Sequence, residues 1–177
     1  MKAKLQLPLF HTLAPDQKRE LIQLVKTALA IPKGSPVERS NYHGRFEENA
    51  RTLCEHSFSA CYGRRTPPPR VRIRVLLKGV KPLGYATYLI NSSKHLVIKH
   101  AVIAVDSRQN GYGRKMVQRL IWMHSLNQNS RKTRVRLSEY NLEAQCFFKR
   151  CGFLHIKTSK GEKGEAFYWM ENQNPDL

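Results

Sequence analysis

The chain has 177 residues, of which 41% are hydrophobic, with 31 Lys and Arg against 13 Asp and Glu for a formal net charge of +18. That length and apolar content exclude a disordered tail and suit one domain with a real core, spanning residues 1–177. The charge favours a polyanionic partner (nucleic acid, an anionic membrane surface or a phosphorylated cofactor) without choosing among them.

The charge is also uneven: from His56 to Val105 there are nine Lys and Arg and no acidic residue. This is either a solvated face or a polyanion groove. Cys54, Cys61, Cys146 and Cys151 form no CxxC pair. They read as free thiols, Cys146 and Cys151 in the core, and no metal site is expected. The opening "MKAKLQLPLF" lacks the apolar core of a signal peptide, and no run is long enough to span a bilayer. The expected location is the cytoplasm, with no membrane partner.

In chain order, "LAPDQKRELIQLVKTAL" places Leu21, Leu24, Val25, Ala28 and Leu29 at helical spacing, which predicts a helix from about Pro15 to Ala30. A second helical region is expected between Glu38 and Tyr62, so the N-terminal part to about residue 63 reads as helical. The three prolines of "RRTPPPR" make a loop before the core of about residues 70–170. "RVRIRVLL" alternates Arg70, Arg72 and Arg74 with Val71, Ile73 and Val75, a half-buried strand with a basic face. "KGVKPLG" reads as a turn, "GYATYLI" as a strand, and "HLVIKHAVIAV" as the best candidate for a central strand.

"GYGRKMVQRLIWMHSL" predicts a helix with Met116, Val117, Leu120, Ile121 and Leu126 on one face. "TRVRLSE" predicts a strand, "NLEAQCFFKRCG" a short helix closed by Gly152, and "FLHIKTS" and "EAFYWME" a final strand pair. The sum is an α/β fold, a mixed sheet flanked by helices.

At "RQNGYG" a strand runs through a glycine turn into a helix. Helix-start N–H groups, the helix dipole and glycine's permissiveness make this a plausible phosphate cradle, with Arg108, Arg114 and Lys115 adding charge. A plain strand-to-helix turn is the rival reading. A dinucleotide fingerprint fails because Met116 stands where a third glycine is needed. A Walker loop from Gly79 fails because Tyr85 and Ala86 follow Gly84.

A third pattern fits. "RQNGYG" resembles the [Q/R]-x-x-G-x-[G/A] signature of the GNAT superfamily of acyl-CoA-dependent N-acetyltransferases. The segment Asn141 to Phe153, "NLEAQCFFKRCGF", resembles that family's second signature, N-x-x-A-x-x-F-Y-x-x-x-G-F, with one change. The resemblance implies a splayed central sheet and acetyl-CoA as co-substrate. Ile103, Ala104 and Val105 would hold the pantetheine arm. Arg108, Gln109, Asn110, Gly111, Tyr112, Gly113 and Arg114 would form the pyrophosphate cradle. Asn141 would touch the pantetheine region, and Phe148 would lie near the thioester sulfur. Only Ser107 separates Asp106 from Arg108, a shorter loop than the family usually has.

Phe148 stands where many members have the tyrosine that acts as acid, so that role is vacant here; Tyr140 and Tyr168 are substitutes. The strand position of the family's basic glutamate reads Ile98-Lys99-His100, which leaves His100 and, further on, Glu139 as candidate bases. Two functions follow. One is acetyl transfer from acetyl-CoA to an amine on a protein, a small molecule or an RNA-linked group, by direct attack in a ternary complex. The other is a non-enzymatic GNAT-like module that binds nucleic acid through its basic face, with or without CoA. Arg64 to Arg74, Arg131 to Arg136, Lys149 and Arg150 could guide a nucleic-acid-linked acceptor or hold CoA phosphates.

Overall fold

The computed structural model describes residues 4–28, 71–126, 132–161 and 164–172. The helical region expected between Glu38 and Tyr62 lies outside them, as does Arg70. Seven strands form one mixed sheet in the order β1-β2-β3-β4-β5-β7-β6: β1 Leu5–Gln6, β2 Val71–Lys78, β3 Lys81–Ile90, β4 Leu96–Ile103, β5 Thr133–Ser138, β6 Phe153–Lys160 and β7 Ala166–Asn172. The helices are α1 Pro15–Ala28, α2 Tyr112–Ser125 and α3 Leu142–Arg150, with single 3-10 turns at Phe10–Thr12 and Val105–Ser107. Among the described residues no helix is long and apolar enough to cross a membrane.

The residues pack as two compact units, and β3 and β4 contribute to both. The first comprises the described residues within Met1–Tyr85 and Val102–Tyr112, the second those within Ala86–Ala101 and Gly113–Leu177.

In the first unit, α1 starts where its sequence dictates. Pro15 needs no donor at the first helical position, Asp16 complements the dipole, and the Gln17 side chain accepts from the Ala14 N–H at 3.1 Å, half of a capping box. Leu21 of α1 joins Phe10, Leu13, Val75, Leu77 and Tyr85 in a buried cluster, with Ile73 and Val102 packed against it. β1 runs antiparallel to β2, Leu5 opposite Lys78 and Gln6 opposite Leu77. The basic face of β2 is shorter than its alternation suggests. Leu76 and Leu77 are both buried, and Arg74 turns its guanidinium onto the Leu7 carbonyl at 2.8 Å.

The expected turn "KGVKPLG" contracts to Gly79 and Val80, with Gly79 at φ 63; Lys81, Pro82 and Leu83 already belong to β3. At Gly84 the backbones of β3 and β4 come close. A Cβ there would be driven into the Val102 carbonyl oxygen and lie 3.1 Å from the Ile103 Cα. The Ala104 N–H donates to the Leu83 carbonyl at 2.9 Å, fastening the exit of β4 to β3.

In the second unit, α2 buries Met116, Val117, Leu120 and Ile121 as its period predicts. Leu126, expected on the same face, is 62% exposed, one residue beyond the end of α2 at Ser125. Cys151 is buried, but Cys146 is exposed on α3 rather than in the core. β7 lies between β5 and β6, antiparallel to both. The register between β6 and β7 slips by one residue between His155 and Lys157, so Ile156 has no opposite number.

Gly84→Ala forces a methyl group into backbone that cannot yield. We expect a loss of about 1–3 kcal/mol or more, read as a melting temperature several degrees lower by circular dichroism.

Candidate functional site

The feature that organises the site is a parallel strand pair that parts. β4 and β5 are in register at Leu96↔Thr133, Val97↔Arg134 and Ile98↔Val135, and their ladder ends there. Neither strand does: β4 runs on to Ile103, and β5 continues to Ser138, paired on its other side with Phe167. Lys99, His100 and Ala101 are therefore strand residues without a β5 ladder partner. Backbone amides and carbonyls demand hydrogen bonds, and an extended ligand that carries amides can supply them. The β5 side is partly closed by its own chain: the Ser138 carbonyl accepts from the Gln145 side-chain amide at 2.9 Å and from the Asn141 N–H at 3.1 Å.

Beyond β4 comes the glycine loop. The strand stops at Ile103, two residues earlier than expected, and Val105 belongs to the 3-10 turn that follows. Gln109 at φ 60 and Gly111 at φ 73 are both left-handed and flank Asn110. Such alternation of hand turns successive N–H groups toward one side, the backbone pattern of anion nests. A Cβ on Gly111 would meet nothing within 4 Å, so the glycine is needed for its φ and not for space. Asn110 donates to the Arg108 carbonyl at 2.9 Å, and the Arg108 Nε donates to the Ile103 carbonyl at 3.2 Å, tying the loop to the strand end.

The first turn of α2 contains no acidic residue and presents exposed Arg114 and Lys115. Cations at the positive end of a helix dipole are unfavourable for folding, so this arrangement suits a bound anion. Among the described residues no group of His, Cys, Asp or Glu could hold a metal ion.

The second unit places the remaining candidates. Asn141 caps α3, its side-chain oxygen accepting from the Ala144 N–H at 3.1 Å. Gln145 reaches the carbonyls of Ser138 and Glu139 at 2.9 and 3.0 Å and so fixes the turn from β5 into α3. One oxygen of the Glu139 carboxylate accepts from the Ala166 N–H at 2.8 Å, which pins the start of β7. Tyr140 is 63% exposed at the same turn. Phe148 is 4% exposed, edge-on to both Phe147 and Phe153 at 5.1 Å. Tyr168 lies on β7 with its ring edge-on to His155 at 5.3 Å.

His100 is mostly buried in the parted stretch of β4. Burial, with Lys99 next to it, lowers its pKa to about 4, so it is neutral at physiological pH. The same burial raises the Cys151 thiol to about 11, against the pull of Arg114, which leaves it a poor nucleophile.

The first unit thus gathers Ile103, Ala104, Val105, Arg108, Gln109, Asn110, Gly111 and Tyr112. The second contains Gly113, Arg114, His100, Glu139, Tyr140, Asn141, Phe148 and Tyr168. Sequence reasoning missed Gln145, whose only signal was its place four residues after Asn141.

A strand that parts from its parallel neighbour and runs into a cationic glycine loop is a backbone arrangement suited to an extended, anionic ligand. The sequence matches the Acetyltransferase (GNAT) family over residues 38–153, and the chain belongs to that family. No curated protein gives a significant match. Among solved structures, the fold is similar to that of a GNAT-family protein from Desulfovibrio desulfuricans, with TM-score 0.68, 13% identity and coverage of 95% of this chain and 98% of that one. It is also similar to the ribosomal-protein-S18-alanine N-acetyltransferase from Escherichia coli, with TM-score 0.62, 13% identity and coverage of 96% and 93%. A third is a streptothricin acetyltransferase from Bacillus anthracis in complex with acetyl coenzyme A, with TM-score 0.54, 16% identity and coverage of 63% and 66%.

The depressed pKa of His100 has a sign in folding. Below pH 6.5 the unfolded chain takes up a proton that the folded chain refuses until about pH 4. Stability is therefore full above pH 6.5 and lost as pH falls through this window. Urea denaturation should show this slope above the carboxylate range, and His100→Gln should flatten it.

Proposed function

We propose that the protein transfers an acetyl group from acetyl-CoA to an amine acceptor, both substrates being bound together. The parting of β4 from β5 at Ile98↔Val135, upstream of the cationic glycine loop, carries this reading. The residues present fit the co-substrate. Three strand residues lack a β5 ladder partner and leave that side to an amide-bearing arm, and left-handed Gln109 and Gly111 shape a nest for a diphosphate. When bound, acetyl-CoA supplies the activated acetyl thioester.

The chain's own groups then divide the work. Amides of the Arg108–Gly113 loop and the N-terminus of α2 hold the pyrophosphate, and Arg108 and Arg114 balance its charge. The backbone of β4 from Lys99 and of its exit to Val105 aligns the arm, and Asn141 contacts it with the amide group that its cap bond leaves over. Phe148, packed between Phe147 and Phe153, keeps water from the reacting end. His100 takes the proton that the acceptor amine loses; its neutral imidazole has a lone pair available above about pH 4. Glu139 is committed to Ala166 and is the weaker candidate for base. Tyr140 and Tyr168 are the hydroxyls that could return a proton to the leaving thiolate. Orientation of two bound substrates supplies much of the acceleration.

An acceptor that is itself polycationic would meet the +18 charge of the chain, so the favoured amine belongs to a neutral or acidic carrier. A second reading, a CoA-binding module without turnover, is favoured by one observation: the buried Phe148 has no proton to give.

Calorimetry with acetyl-CoA and thiol release in the presence of acceptor amines separate the readings, binding without turnover favouring the module and no binding overturning both. Gly111→Val, which places a β-branched residue at φ 73, should weaken acetyl-CoA binding at least about tenfold. His100→Gln should lower kcat by about a hundredfold or more while leaving acetyl-CoA affinity unchanged.

A further inference from the structure

Residues directly opposite in a sheet share a face, and the pairing across β5, β7 and β6 therefore orders three rows. The middle row is Arg136, Trp169 and Lys157; on one side of it lie Ser138, Phe167 and Ser159, and on the other Arg134, Glu171 and Leu154. Lys157 reaches this face because of the slip at Ile156.

The rows combine two chemistries. Trp169 and Phe167 offer partly exposed rings, and the Arg136 guanidinium lies 4.0 Å from the Phe167 ring centroid, extending that ring with a second flat surface. Arg136 and Lys157 are exposed on either side of Trp169, and neither makes an ion pair with a described residue. The carboxylate in these rows, Glu171, is 8% exposed and bridged by Lys132 at 3.1 Å and Arg134 at 2.7 Å, so it cannot repel an approaching anion.

We propose that this face binds single-stranded nucleic acid, with unpaired bases stacked on Trp169 and on the Arg136–Phe167 pair and with phosphates paired to Arg136 and Lys157. Cations alone would suit any acidic polymer. Cations that flank flat rings suit a polyanion carrying flat bases, and only a single strand leaves the base faces free to stack. The proposed acetyl-CoA site uses none of these residues, Arg136 included, so the proposal does not rest on the acetyltransferase reading.

The test uses the full chain with Trp122→Phe, which leaves Trp169 as its single tryptophan. Titration with a 12-nucleotide single-stranded RNA of mixed sequence, without acetyl-CoA, should quench tryptophan fluorescence saturably. Affinity should fall steeply with salt. Arg136→Gln with Lys157→Gln should weaken binding at least tenfold, whereas Lys4→Gln with Lys94→Gln, the same charge change elsewhere, should cost less than threefold. In the otherwise unchanged chain, Trp169→Phe should keep most of the affinity and Trp169→Leu should lose at least fivefold, with circular dichroism verifying the fold. No quenching, equal losses from both charge pairs, or equal affinity for a 12-base-pair duplex would overturn the proposal. Equally tight binding of a poly-glutamate peptide would overturn it in favour of an acidic protein partner. Acetyl-CoA calorimetry on the same samples reports the acetyltransferase reading independently.

Discussion

Hydrogen bonding between two parallel strands stops after three pairs, and most of the site chemistry follows from that interruption. A parallel ladder that continued past Ile98↔Val135 would consume those amides and carbonyls of the Lys99 to Ala101 stretch that face β5. Its ending leaves strand geometry open on the β5 side, a template for an extended, amide-bearing molecule. The rest of the fold keeps the two strands in place despite the loss. β5 is held on its far side by β7, and its end is fastened by Gln145. The exit of β4 is held by the bond from Ala104 to Leu83.

Electrostatics then acts on a prepared backbone. The first turn of α2 places Arg114 and Lys115 where the helix dipole is already positive, a conflict that a bound anion resolves. The loop before it spends conformational strain in the same cause: a non-glycine residue, Gln109, is held left-handed beside Gly111. Burial works the other way at His100, keeping the ring uncharged in a strongly basic chain. Charge where the diphosphate group would lie and neutrality at the candidate base arise from one principle, exposure against burial, applied to neighbouring stretches of chain.

Local patterns were legible in the sequence. The apolar period of α2, the alternation in β2 and the glycine spacing of the loop predicted elements within a few residues of where they lie, because each depends on short-range sterics. Errors arose where a distant partner decides. "KGVKPLG" looked like a turn throughout, yet Pro82 and Leu83 extend β3. Val105 looked like strand, but the chain turns once Ala104 is fixed to Leu83. The parting of β4 from β5 has no local signature, since both strands read as good strands on each side of it. The work of Glu139 was equally hidden, as its partner Ala166 lies 27 positions away.

The unpaired Ile156 is a parity device. Counting outward from Leu154 without the slip, Ile156 would fall opposite Trp169 and Lys157 opposite Tyr168, and the outer half of β6 would swap its two faces. The slip thus decides which side chains the outer half of β6 presents beside Trp169, with no change in composition. A chain lacking Ile156 would still set His155 opposite Met170 and Lys157 opposite Trp169, so the edge strand absorbs one extra residue while both faces keep their chemistry.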